Sequence, residues 1–160
     1  MSEDEEMKST SSSGEEDNED EVNEQEIKNL KSELEENPFL YDKYVSLIQL
    51  LSEAGELEEL RHWRETFAKY FPLTPELWLA WLSDEQRLAT SVQEKENVSQ
   101  LFEKAVQDYN SVKLWLEYCQ FSLWQLQDTS NGVQNIRNIF EKAVVAAGVN
   151  AAEGKSLILR

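Results

Sequence analysis

The chain has 160 residues, room for one domain of moderate size, and carries 32 acidic against 15 basic side chains for a net charge of −17. Such a charge repels phosphate backbones and so argues against nucleic acid as a direct partner. The single cysteine, Cys119, excludes a disulfide framework or cysteine-built metal site, and no apolar run reaches the roughly 18 residues of a membrane span; these features predict an intracellular, soluble protein in a reducing compartment.

Residues 1–20 are rich in Ser, Glu and Asp and nearly empty of large apolar side chains, which predicts a disordered acidic tail. Residues 1–26 hold twelve of the acidic residues against Lys8 alone. Ser2 and Ser13 each have a glutamate three residues on (Glu5, Glu16), a context that acidic-directed kinases favour. A solubilising tail is the simpler role.

From Glu21 the pattern turns helical. Val22, Ile27, Leu30 and Leu34 predict a helix over 21–36, stopped by Asn37-Pro38 because the residue before proline is pushed out of the helical region. A second helix follows over about 39–53, with Tyr41, Tyr44, Val45, Ile48 and Leu51 on one stripe, and Gly55 ends it. The third, about 56–70, carries Leu60, Trp63, Phe67 and Tyr70 and breaks at Phe71-Pro72.

Thr74-Pro75-Glu76 reads as an N-cap with proline at the first helical position. The fourth helix, to about Ala89, presents Trp78, Trp81, Leu82 and Glu85. After a polar link at Thr90-Ser91, the fifth, about 94–109, presents Val98, Leu101, Phe102, Ala105 and Tyr109. Asn110-Ser111 is expected to cap the sixth, about 111–126, with Leu114, Trp115, Tyr118 and Phe121. Residues 128–132 form a loop, and a seventh helix runs to about Ala147, with Gly148 ending it. The last residues, 151–160, start another helix and stop at Leu157-Ile158-Leu159-Arg160.

These helices repeat. Leu77-Trp78-Leu79-Ala80-Trp81 returns 37 residues later as Leu114-Trp115-Leu116-Glu117-Tyr118, and Leu101-Phe102-Glu103-Lys104-Ala105-Val106 returns 38 residues later as Ile139-Phe140-Glu141-Lys142-Ala143-Val144. Tyr41 and Tyr44 stand 37 residues before Trp78 and Trp81, and Trp63 stands 39 before Phe102. A period in this range, with two helical patterns per unit, predicts an all-α helical repeat array. Its repeats fall at about 39–70, 75–109 and 111–147, preceded by the helix at 21–36 and followed by a truncated repeat at 151–160. Ala105 and Ala143 let a neighbouring helix approach, while Phe102 and Phe140 fill the groove beside it. Glu85 and the Glu103-Lys104 and Glu141-Lys142 steps are expected to tie neighbouring helices together.

Trp-x-x-Trp/Tyr on the first helix of a pair, with Phe-Glu-Lys-Ala on the second, resembles the HAT (half-a-TPR) repeat family, over about residues 25–160. The resemblance implies a right-handed α-solenoid of antiparallel helix pairs. It also implies a nuclear scaffold for pre-mRNA splicing, in U4/U6 snRNP recycling and assembly, located in the nucleoplasm and Cajal bodies. The partners implied are spliceosomal snRNP proteins, with deubiquitinases as a further class. The proteins it resembles make their RNA contacts through C-terminal RNA-recognition domains and self-associate through later repeats. Neither is in this sequence, so the chain is expected to be an N-terminal fragment, a short isoform or an incomplete gene model, and a marginal folder with its last face exposed.

The chemistry-bearing residues point the same way. His62 has no nucleophile pattern beside it and no Cys or His partners for zinc, and the carboxylates sit in no phosphate-loop, metal-loop or nucleophile-elbow context. No enzyme activity, cofactor, metal or small-molecule substrate is expected. Arg61 and Arg64 flank Trp63 in the one basic–aromatic cluster: either Trp63 is core and the arginines are a solvated face, or the cluster contacts a partner. The alternative function is direct RNA binding in another RNA-processing pathway, such as mRNA 3′-end or rRNA processing, through Arg61, Arg64, Lys69 and scattered basic residues.

Overall fold

The computed structural model describes residues 13–127 and 130–149, with side chains described over 21–127 and 130–148. Among the described residues there are seven helices and no strand. They fall into two compact units that divide after Tyr70. The all-α expectation from the periodicity is met.

The first unit holds α1 (Ser13–Glu36), α2 (Tyr41–Ala54) and α3 (Leu57–Tyr70). α1 begins at Ser13, eight residues before the predicted start, so the acidic stretch to Asp20 is partly helical. Residues 1–12, the rest of the expected tail, lie outside the described residues.

α1 ends where proline dictates, with the Asn37 amide still donating to the Glu33 carbonyl at 2.9 Å. α2 ends on Gly55, whose φ of 73° is the left-handed conformation that glycine adopts at no steric cost. Its amide donates to the Ser52 carbonyl and that of Glu56 to Leu51, the paired bonds of a Schellman motif. With only Gly55 and Glu56 between them, α2 and α3 fold back on each other. Their shared core is aromatic: Tyr44 stacks on Phe67 at 4.7 Å and 2°, and Tyr41 meets Phe67 edge-on at 5.1 Å. Such pairs contribute roughly 0.5–1.5 kcal/mol beyond the area they bury. Leu30 and Leu34 of α1 are buried as well, and Lys31 of α1 pairs with Glu59 of α3.

The second unit holds α4 (Pro75–Leu88), α5 (Val92–Asp108), α6 (Val112–Gln125) and α7 (Gly132–Val149). Thr74 caps α4, its hydroxyl accepting from the Leu77 amide at 3.4 Å, with Pro75 at the first helical position. α5 starts at Val92, not Glu94, because Ser91 and Glu94 form a reciprocal capping box. Ser111 precedes α6 but makes no side-chain cap, and the Asn110 amide oxygen instead accepts the Trp115 indole N–H at 3.2 Å. Gly148 does not end α7, which continues to Val149. The predicted truncated repeat at 151–160 lies outside the described residues.

Consecutive helices of this unit pack on one another, and α6 also touches α4. Trp78 and Trp81 stack at 5.3 Å, and Phe102 of α5 lies between Tyr118 (4.8 Å) and Phe121 (5.2 Å) of α6. The small residues Ala105 and Ala143 are both fully buried.

Candidate functional site

In a helix, residues three and four apart share a face. Ser99 and Glu103 are therefore neighbours on α5, and Asn135, Asn138 and Lys142 form one stripe on α7. The two stripes face each other across Tyr118 of α6, and between them lies an open groove of about 220 Å³ with Ile139 and Gln100 completing its walls.

A chain of hydrogen bonds crosses its floor. Burial pushes the Tyr118 phenol well above its usual range, so it stays protonated. It donates to Glu103 Oε1 at 3.1 Å, and the Ser99 hydroxyl, 3.0 Å away, is then the donor to the phenol oxygen. Lys142 Nζ closes the groove's end on both Glu103 oxygens, at 3.0 and 3.1 Å. That pair joins the second helices of consecutive repeats. Its side chains are 55% and 30% exposed, so the bridge itself contributes little stability and orients more than it holds.

Two of the three carboxamides in the lining are free to bond something else. The side-chain amides of Gln100 and Asn135 make no hydrogen bond among the described residues, whereas the Asn138 oxygen accepts from Gln134 at 3.0 Å. The groove thus offers donors, acceptors and one carboxylate, with Ile139 the one aliphatic side chain in its lining. No cluster of three or more His, Cys, Asp or Glu side chains suited to a metal occurs among the described residues. No described helix is long and apolar enough to cross a membrane.

The repeat-signature residues sit as follows. Tyr44, Trp63, Trp78, Trp81, Phe102, Ala105, Trp115, Tyr118 and Ala143 are buried. Tyr41 and Glu85 are half-buried. Phe140 is 37% exposed, unlike its equivalent Phe102 at 0%. Only Tyr118 among them lines the groove. Arg61 and Arg64 do not share a solvated face: Arg64 is 5% exposed, whereas Arg61 is half-buried and bonds Glu58 at 3.1 Å. A helical step of three residues moves Arg64 onto the side of α3 that carries Leu60 and Phe67. His62 is exposed on α3, edge-on to Trp63. Cys119 is buried in α6, and burial pushes its thiol up to about 11.

Ser99, Gln100, Asn135 and Asn138 were not singled out by the sequence reading. One signal was there: Gln100 and Asn138 are 38 residues apart, the offset of Phe102 and Phe140, so a carboxamide recurs two positions before each repeat phenylalanine.

Comparison with known proteins places this arrangement. The PRP39 N-terminal HAT repeat family matches residues 28–155. The chain is 40% identical over 132 residues to the spliceosome associated factor 3, U4/U6 recycling protein, of Homo sapiens and to that of Pongo abelii. It is 38% identical over 135 residues to the protein of the same description in Mus musculus. These matches cover 82 to 84% of this chain and 14% of each relative, so the chain spans a small part of the length of the curated relatives it matches.

Proposed function

Because the chain belongs to the PRP39 N-terminal HAT repeat family, we propose that it is a protein-interaction scaffold of pre-mRNA splicing, acting in U4/U6 snRNP recycling. The observation that carries this reading is its likeness, over four-fifths of its own length, to proteins described as spliceosome-associated U4/U6 recycling factors. Its location on this reading is the nucleus, in the nucleoplasm and Cajal bodies. Its partners are spliceosomal snRNP proteins, with deubiquitinases as a second class.

Physical features agree with a binding role. Aromatic side chains from three helix pairs are committed to packing, and the polar groove between α5 and α7 is left open. The net charge of −17 opposes direct contact with RNA and favours protein partners. Arg64, one of the residues named for the RNA-binding alternative with Arg61 and Lys69, is buried. A non-enzymatic role follows from the same family membership and relatives.

The test is capture from nuclear extract by the full 160-residue chain at moderate salt, with and without ribonuclease. Recovery of snRNP proteins that survives ribonuclease is the expected result. Recovery that disappears with ribonuclease would move the chain to the RNA-binding reading, and recovery of no spliceosomal component would remove the scaffold role from this chain.

A further inference from the structure

We infer that the groove between α5 and α7 takes an extended segment of a partner protein and seats an arginine of that segment against Glu103. This rests on the scaffold reading and names the chemistry of the partner.

The size of the groove selects the kind of occupant. At about 220 Å³ and open to solvent, it falls below the roughly 300–1,000 Å³ of pockets that enclose a small molecule. It suits one or two side chains of a polypeptide passing across the surface. The hydrogen-bonding groups fit a peptide backbone. The side chains of Gln100 and Asn135 bond nothing among the described residues, and each carboxamide can donate and accept at once. An extended backbone presents N–H and C=O groups alternately along one edge, which is the pattern such carboxamides can satisfy.

Charge selects the side chain. Tyr118 fixes one oxygen of Glu103 from below, so the carboxylate is oriented before anything binds. Its other partner, Lys142, is a flexible point charge, 55% exposed at the rim. A guanidinium matches a carboxylate with two parallel bonds and is more weakly hydrated than an ammonium, so an incoming arginine displaces Lys142 at little cost. Ile139, 4% exposed, leaves a small apolar edge beside the arginine's methylene stem. The overall charge of −17 steers cationic segments toward the protein.

The groove can be separated from bulk charge by experiment. The probe is a degenerate peptide library flanked by proline, which keeps it extended, with the central position fixed as Arg, Lys, Gln or Glu. Binding to the full chain is read by fluorescence anisotropy. Arg-centred peptides are expected to bind best. Glu103→Gln, whose amide oxygen can still accept from Tyr118, should weaken them about tenfold, the usual result of losing one charged hydrogen-bond partner. Asn135→Ala removes an exposed side chain that makes no bond among the described residues, so it leaves the fold intact and should also weaken binding. Glu117→Gln removes the same charge from α6 outside the groove and should change nothing. Lys142→Met should leave binding unchanged or tighten it.

Equal losses in E117Q and E103Q, no preference at the central position, or loss of binding in K142M would each overturn the assignment. A preference for Glu-centred peptides that K142M abolishes would mean an acidic partner held by Lys142. In the nuclear-extract capture, recovery that persists in both E103Q and N135A would overturn the groove while the scaffold reading stands. Failure of the unsubstituted chain to capture any spliceosomal protein would overturn the scaffold reading itself.

Discussion

Asp108, the last residue of α5, accepts the indole N–H of Trp78 at 2.8 Å, and the same carboxylate oxygen accepts the backbone N–H of Leu73 at 2.8 Å. One oxygen thus ties the end of α5 to the segment leading into α4 and to the first turn of α4. It also settles where the polar edge of a buried tryptophan goes, since Trp78 is 3% exposed. In the next repeat Asn110 plays a similar part for Trp115.

Asp108→Ala should therefore cost more than an exposed carboxylate normally does. It leaves two part-buried N–H groups without their acceptor, a loss of about 3 kcal/mol if each costs the usual 1–3. Asp108→Asn keeps an acceptor oxygen and should lose less than half of that. Urea denaturation followed by tryptophan fluorescence gives both values, and equal stability of D108A and the unsubstituted chain would mean that water replaces the carboxylate.

The glycines make a second prediction because they differ in what surrounds them. A Cβ on Gly132 would overlap the carbonyl oxygen of Leu126 and press on that of Gln127 at 2.8 Å, both backbone atoms. Gly132→Ala should destabilise by about 2–3 kcal/mol, as overpacking does. At Gly148 an added Cβ meets nothing within 4 Å. Gly148→Ala should be neutral or stabilise by up to about 1 kcal/mol, the helix-propensity difference. Parallel thermal melts of the two variants read the contrast directly.

These glycines also mark how far the sequence could be read. The repeat offsets of Tyr41/Trp78/Trp115 and Trp63/Phe102/Phe140 mark six of the seven described helices, and α1 shows only in the helical spacing of Ile27, Leu30 and Leu34. Helix ends were less legible. Gly148 looks like a terminator, but a lone glycine inside a helix costs only about 1 kcal/mol, and α7 runs on past it. Ser91 and Glu94 held a capping-box spacing that moves the start of α5 forward, and Asn110 turned out to serve an indole in place of a helix end. The groove was least legible. Glu103 and Lys142 were expected to tie helices, but nothing in local sequence says that they meet each other, 39 residues apart. Asn97/Asn135 and Gln100/Asn138 do recur at the 38-residue offset, but a polar recurrence on an exposed face does not by itself say that a groove lies there.

The capping box makes a third prediction, a pH dependence. Bonds from the Ser91 and Thr90 backbone amides and from their hydroxyls hold the Glu94 carboxyl well below the usual glutamate range, at about 2. A folded-state value that is depressed contributes stability above the unfolded value of about 4.3. That contribution is lost as the pH falls through the window from there to about 2. Glu94→Gln keeps the box geometry, because glutamine also accepts from the Ser91 amide, and removes the titration. Its melting temperature should fall less than that of the unsubstituted chain across this window, while the two should run parallel above pH 6. Parallel curves throughout would mean that the box forms only transiently in solution.

The fourth prediction uses the repeats against each other. Phe102 and Val106 of α5 correspond to Phe140 and Val144 of α7, 38 residues on. The first pair is 0% and 6% exposed, because α6 brings Tyr118 and Phe121 onto Phe102; the second pair is 37% and 59% exposed. The same side chain in the same register of the repeat therefore removes very different areas from water. Phe102→Ala should cost about 3–5 kcal/mol, the range for emptying a buried aromatic site. Phe140→Ala should cost less than half as much. Val144→Ala should fall within about 0.5 kcal/mol of the unsubstituted chain, as exposed substitutions do. If F140A proves as damaging as F102A by denaturant melting, then something covers α7 in solution. A melting temperature that rises with protein concentration and loses that dependence in F140A would identify the cover as a second copy of the chain. A concentration-independent loss would place it within the same molecule.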